Sequence, residues 1–194
     1  MTVEEIAMSK FYETITPDIR DFIAEQKVFF VATAPQEGRI NLSPKGMDTF
    51  RVLDERRAIY LDLTGSGNET AAHLLENSRI TIMFCSFDKT AQIVRLYGRG
   101  RAIHPSDTNW NRYLAMFQPV PGVRQIMEID VESAMNSCGY GVPQFDSLKE
   151  RDTLRKYWEK KGDDAVPEYQ RKHNDKSIDG LPTGIFGDTS RSGK

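Results

Sequence analysis

The apolar positions of the chain change period several times, and each change marks an element. Ile19, Phe22 and Ile23 recur at helical spacing within Ile15 to Gln26, with Thr16 placed as an N-cap and Pro17 at the first helical position. This predicts an amphipathic helix. Val28 to Thr33 is apolar and rich in strand formers. The turn-forming run Pro35-Gln36-Glu37-Gly38 follows, and Arg39 to Leu42 returns as the second strand of a hairpin. Phe50 to Leu53 and Ala58 to Leu63 read as two more strands around the polar turn Asp54-Glu55-Arg56-Arg57. Thr70 to Glu76, with Ala71, Ala72, Leu74 and Leu75, predicts a short helix. Arg79 to Ser86 is a strand with Ile80, Ile82 and Phe84 on one face. Ile93 to Ile103 is a longer strand, and its Gly98 and Gly100 predict a bulge or a tight bend. Asp107 to Phe117 predicts a helix capped by Ser106 or Asp107. Arg124 to Ser133 is the last clear strand, with Ile126, Glu128 and Asp130 opposing Met127, Ile129 and Val131.

Many short, antiparallel-looking strands with short helices between them point to a closed or partly closed barrel. There is no βαβ rhythm and no internal repeat. The fold class expected is mainly β within α+β: a split β-barrel, Greek-key-like, with short flanking helices and a C-terminal helical appendage. The composition changes after Pro143. Leu148 to Lys160 reads as a charged helix with few apolar anchors, and Ala165 to His173 as another. Ser177 to Pro182 holds a small apolar kernel expected to dock on the barrel. The organisation expected is therefore a barrel over residues 1–143 and a helical segment over 144–194 that packs on it. Gly187 to Lys194 is expected to be disordered.

Bulk properties narrow the functions. With 194 residues, one domain with an appendage is the natural expectation. The net charge of −2 sets up no field for nucleic acid or an anionic membrane, so an anionic ligand must be held by local donors. No apolar run approaches the roughly 20 residues that span a bilayer. Met1 to Lys10 does not read as a signal peptide. Cys85 and Cys138 form neither a disulfide framework nor a metal motif, which points to the cytoplasm. His73, His104 and His173 are scattered without metal-ligand spacing, so no metal is expected, and His73 is expected at a cap or on the surface.

Four segments could carry chemistry. Thr64-Gly65-Ser66-Gly67-Asn68-Glu69-Thr70 lies between a strand and a helix. Its glycines allow close backbone approach, its hydroxyls and the first helical N–H groups suit a phosphate monoester, and it is not a Walker loop. It also fits an ordinary loop capped by Asn68 or Thr70. Asn41-Leu42-Ser43-Pro44-Lys45-Gly46 puts a hydroxyl and a cation at a strand end; a solvated lysine is the alternative. Phe50-Arg51-Val52-Leu53 could present backbone groups and a guanidinium to a planar ligand, or merely expose an arginine. In Ser137 to Pro143, Cys138 has no activating neighbour in sequence and reads as a packing residue.

Together these segments resemble the pyridoxamine-phosphate-oxidase-like flavoproteins. The resemblance runs from about Ile19 to Val142 and is densest in Asn41 to Gly46, Phe50 to Leu53, Tyr60 to Thr70 and Asn77 to Phe84, with Cys138 to Pro143 similar to an uncharacterised branch. It implies an FMN-binding split barrel, usually a homodimer, with a small-molecule substrate at the dimer interface and hydride chemistry supplied by the flavin. It implies cofactor contacts at Ser43, Lys45, Arg51, Val52, Thr64, Gly65, Ser66, Glu69 and Thr70, and at Gln118 across the dimer. No catalytic residue is implied. The loop departs from the oxidase's basic phosphate loop, because Gly-Ser-Gly-Asn-Glu carries an acid and no cation. The tail around Ser177 to Pro182 does not match the oxidase's basic ending either. Both departures weigh against vitamin B6 oxidation. The alternatives are a deazaflavin-dependent reductase, which would want a larger basic groove, and a non-catalytic flavin or haem carrier with His173 as the tempting haem ligand.

Overall fold

A computed structural model describes residues 9–187. The reading of Met1 to Lys10 and the expected disordered tail from Gly187 lie almost wholly outside them. The elements in chain order are β1 (Lys10–Tyr12), α1 (Pro17–Glu25), β2 (Phe29–Thr33), β3 (Asn41–Lys45), β4 (Phe50–Val52), β5 (Arg57–Leu63), α2 (Glu69–Asn77), β6 (Arg79–Cys85), β7 (Gln92–Ile103), α3 (Trp110–Leu114), β8 (Val123–Cys138), α4 (Thr153–Lys161) and α5 (Ala165–His173).

The eight strands form one antiparallel sheet in the order β3-β2-β6-β7-β8-β5-β4, with β1 added against β8. The sheet curls on itself. Phe29 of β2, next to one edge, meets Phe50 of β4, at the other edge, with ring centroids 5.1 Å apart. Val31, Tyr60, Ile82, Leu96 and Ile129, from five strands, share one buried cluster with Ile19, Phe22 and Ile23 of α1. The opposite face of β5 and β8 buries Ile59, Leu61 and Ile126 against Tyr113 of α3 and Phe117. This is the expected mainly β split barrel.

Several boundaries differ from expectation for local reasons. Thr16 does cap α1, accepting from the Ile19 N–H at 3.4 Å. Asp107 does not cap a helix: its carboxylate accepts the His104 N–H at 2.6 Å, and the expected 107–117 helix shrinks to α3. β3 runs on through Ser43-Pro44-Lys45, where a strand end is expected from the sequence. Pro44 pairs opposite Phe30 on an edge strand, where a missing N–H is tolerated. β8 extends to Cys138 because β7 offers it a long partner. His73 is buried rather than superficial, hydrogen-bonded through Nδ1 to Thr33 Oγ1 at 3.0 Å, and Cys138 is exposed rather than packed.

Gly98 marks the expected bulge. The β7/β8 register shifts at Tyr97/Gly98, and a Cβ there would stand 2.1 Å from the Asp130 carbonyl oxygen. Gly98→Ala should therefore lower the urea midpoint by the equivalent of about 1–3 kcal/mol, the usual cost of overpacking. An unchanged midpoint would mean that the bulge absorbs the methyl.

Candidate functional site

Two regions gather the residues singled out above. The first is a cleft of about 350 Å³ between α1 and the Gly46–Val52 segment, lined by Arg20, Lys27, Phe29, Phe50, Arg51 and Val52 among others. Its wall is the free edge of β4. The Leu53 N–H donates to Arg57 O at 2.8 Å and the Leu61 N–H to Thr49 O at 2.8 Å. Residues 49, 51 and 53 thus direct their backbone groups at β5. By antiparallel alternation, Phe50 and Val52 turn their N–H and C=O groups to the open side. Arg51 is held rigidly. Its guanidinium donates to both Asp48 carboxylate oxygens at 2.7 and 2.8 Å, to Met116 O at 3.2 Å and to Phe50 O at 2.7 Å, and it stacks on Phe117 at 5.0 Å. Arg51 and Val52 line the same cleft. Gln118 is exposed, two residues beyond the carbonyl that Arg51 grips.

The second region is the Thr64–Thr70 loop. Ser43 and Lys45 lie on the face of β3 that turns towards it. Asn41, on the same face, donates to Thr70 Oγ1 at 3.3 Å, and Lys45 Nζ donates to Asp62 Oδ1 at 3.0 Å. Asp62 is buried and holds a second cation: Arg124 donates to Oδ2 through Nε at 3.0 Å and Nη2 at 2.8 Å, and Gln125 adds a bond at 2.8 Å. Burial would push the Asp62 carboxyl up, but Arg124, Lys45 and the Gln125 amide together hold it well below the usual carboxylate range.

The loop itself is bonded to the C-terminal segment. Trp158 Nε1 donates to Thr64 O at 3.1 Å, and Gln170 Nε2 to Thr64 Oγ1 at 2.8 Å. Asn174 Nδ2 donates to Gly65 O at 3.0 Å, Asn68 Nδ2 to Asn174 O at 3.3 Å, and the Ile178 N–H to the Glu69 carboxylate at 3.0 Å. Of the seven loop residues, Ser66 and Gly67 are the exposed ones. Around Ile178 the bonds are polar: its N–H reaches Glu69 while its side chain is exposed, and Asp179 accepts from the Arg39 N–H at 2.8 Å.

Known proteins share this architecture. The family described as Pyridoxamine 5'-phosphate oxidase is matched over residues 15–138. The chain belongs to that family. A family protein of Aspergillus flavus, ustO, is 38% identical over 195 residues, covering 90% of this chain and 78% of that one. Among solved structures, a single-residue variant of HupZ from Group A Streptococcus superposes with a TM-score of 0.51 at 22% identity, over 63% of this chain and 98% of that one. A Lactobacillus delbrueckii protein, assigned provisionally as pyridoxamine 5'-phosphate oxidase, gives 0.52 at 18% identity, over 63% and 94%. These two likenesses speak for the fold.

The family match ends at residue 138, so the segment that seals the loop lies beyond it. Asp62, Arg124, Gln125, Trp158, Gln170 and Asn174 were not among the expected site residues. The one available signal was Asp62, a lone acid in the apolar strand Ala58 to Leu63. For a family cofactor with a terminal phosphate, the two regions differ. The β4 edge fits a planar ring. The loop does not fit a phosphate, because Lys45 and Arg124 are already neutralised by Asp62 and the Glu69 carboxylate stands at the helix entrance. No group of His, Cys, Asp and Glu among the described residues could hold a metal ion, and no helix there is long and apolar enough to cross a membrane.

Proposed function

We propose that this chain is a flavin-binding oxidoreductase of the pyridoxamine 5'-phosphate oxidase family, with the flavin ring in the cleft between α1 and β4. One observation carries the reading: the open β4 edge, where the N–H of Phe50 and the N–H and C=O of Val52 face outward while Arg51 holds the Phe50 carbonyl. A flavin's pyrimidine edge alternates carbonyl, N–H and carbonyl, so an open strand edge complements it as another strand would. The aromatic side chains of Phe29 and Phe50 line the same cleft, and Arg20, Lys27 and Arg51 outnumber Asp48 among the charged groups there, favouring an electron-rich or anionic heterocycle. Arg51, fixed by Asp48 and Phe117, orients rather than reacts. When bound, a flavin accepts or donates hydride at its N5 position. FMN is the form suggested by the family, with a small substrate entering at the interface of a homodimer. Genuine vitamin B6 oxidation is not proposed, because the loop lacks the cations its phosphate chemistry requires.

The haem alternative has no support from the placement of His173. That side chain packs on Tyr169 at 4.5 Å in a separate groove between α4 and α5. A deazaflavin's longer anionic tail meets the same sealed loop.

The test is direct. The purified protein should show flavin absorbance, or should quench flavin fluorescence on titration. Val52→Pro, which deletes one outward N–H at the edge, should weaken binding by about tenfold, the loss of one hydrogen bond. No flavin absorbance and no uptake of riboflavin or FMN would sink the reading.

A further inference from the structure

We infer that this chain recognises its flavin without a phosphate contact at the Thr64–Thr70 loop, so that it does not select the phosphorylated form. The inference rests on the flavin reading above and concerns the far end of the same ligand.

Three independent features of the loop point this way. The first is charge. Among the described residues, Lys45 and Arg124 are cations that hydrogen bonds place beside the loop, and both are bonded to the buried carboxylate of Asp62. Glu69 adds a second carboxylate at the first residue of α2. The four charges balance, whereas a phosphate monoester would add about −1.5 to −2 to them. A helix N-terminus favours an anion, but here Glu69 already supplies that negative charge.

The second feature is occupancy. Carbonyl oxygens of Thr64, Gly65 and Gly67 accept from Trp158, Asn174 and Arg124, and the hydroxyl of Thr64 accepts from Gln170. Of the groups expected to meet a phosphate, the Thr64 N–H donates to Gly122 O at 2.7 Å, and the hydroxyls of Thr64 and Thr70 accept from Gln170 and Asn41, while the carbonyl bonds tie the loop to residues about a hundred positions away. Opening the seal would leave buried donors such as the Trp158 indole N–H unpaired, which costs about 1–3 kcal/mol for each group.

The third feature is polarity. Gln125 Oε1 and Asn174 Oδ1, on residues that grip the loop, are buried and have no hydrogen-bond partner among the described residues. Both are acceptors. With almost no exposed surface they suit a buried water, and the partial negative charge they add beside the loop disfavours a dianionic phosphate. With the cations already paired to Asp62 and Glu69 at the helix entrance, the loop offers the phosphate of FMN no charge advantage over the hydroxyl terminus of riboflavin.

The discriminating experiment titrates the full chain separately with riboflavin and FMN and follows flavin fluorescence. The expected dissociation constants agree within about threefold, and inorganic phosphate leaves both unchanged. FMN bound about tenfold or more tightly than riboflavin would overturn the inference while leaving the flavin reading intact. Failure of both flavins to bind would overturn both. Glu69→Lys supplies a cation at the helix entrance and removes the acceptor of the Ile178 N–H. It should raise the preference for FMN over riboflavin by about fivefold or more, and an unchanged ratio would overturn the role assigned to the Glu69 carboxylate.

Discussion

Trp158→Ala should lower the stability of the protein by about 3–5 kcal/mol, the range for truncating a large buried aromatic. Trp158 is only 2% exposed. Its ring meets Tyr157 and Tyr169 edge-on, at centroid separations of 5.0 and 5.3 Å. It also lies against Gly122, where an added Cβ would come within 2.4 Å of the indole. The Gly122 carbonyl accepts the Thr64 N–H at 2.7 Å, and the Thr64 carbonyl accepts the indole N–H at 3.1 Å. Trp158 thus joins α4, the approach to β8 and the start of the loop. Removing it opens a cavity and leaves the Thr64 carbonyl without its donor. Trp158→Phe keeps much of the volume and loses the N–H, so it should cost about 1–2 kcal/mol. Urea unfolding followed by circular dichroism measures both variants. A loss below about 1 kcal/mol for alanine would mean that the C-terminal segment adds little to the barrel's stability.

The same residues explain what could be read from the chain and what could not. The strands were legible because alternation and β-branched content are local properties. Gly98 was legible as a bulge because a glycine inside a strand has few other reasons to be there. Pro44 misled because proline has two strand-compatible contexts, a turn and an edge, and only the pairing with β2 decides between them. β1 has three residues and no periodicity to detect. Arg51 and Val52 stood out in the sequence, since an arginine within a short strand is unusual. The loop end was harder to read, for a different reason. Loop chemistry shows which groups could bind an anion, but not which groups the rest of the chain will claim. Thr64 and Gln170 are linked by one hydrogen bond across 106 positions, and neither residue announces the other. Asp62 was the exception. A carboxylate in the middle of a buried strand must find cations, and Lys45 and Arg124 are those it finds.

Asp62→Asn carries the other large expected effect, about 3–5 kcal/mol at neutral pH, because it leaves Arg124 buried without its counter-charge. Its pH dependence identifies the cause. In the folded chain the Asp62 carboxyl titrates well below its unfolded value of about 3.9, since Arg124, Lys45 and Gln125 outweigh the penalty of burial. A carboxyl whose pKa is lowered on folding contributes its full stability above the unfolded pKa and loses it as the pH falls towards the folded one. The gap in stability between wild type and Asp62→Asn should therefore be constant from about pH 7 to pH 5 and should narrow steadily below about pH 4. Urea midpoints across that range give the result. A gap that stays constant into strong acid would show that the asparagine is destabilising through shape rather than charge. Lys45→Met separates the two cations further: Lys45 is partly exposed and Arg124 is not, so losing the lysine should cost less than losing the carboxylate to which both are bound.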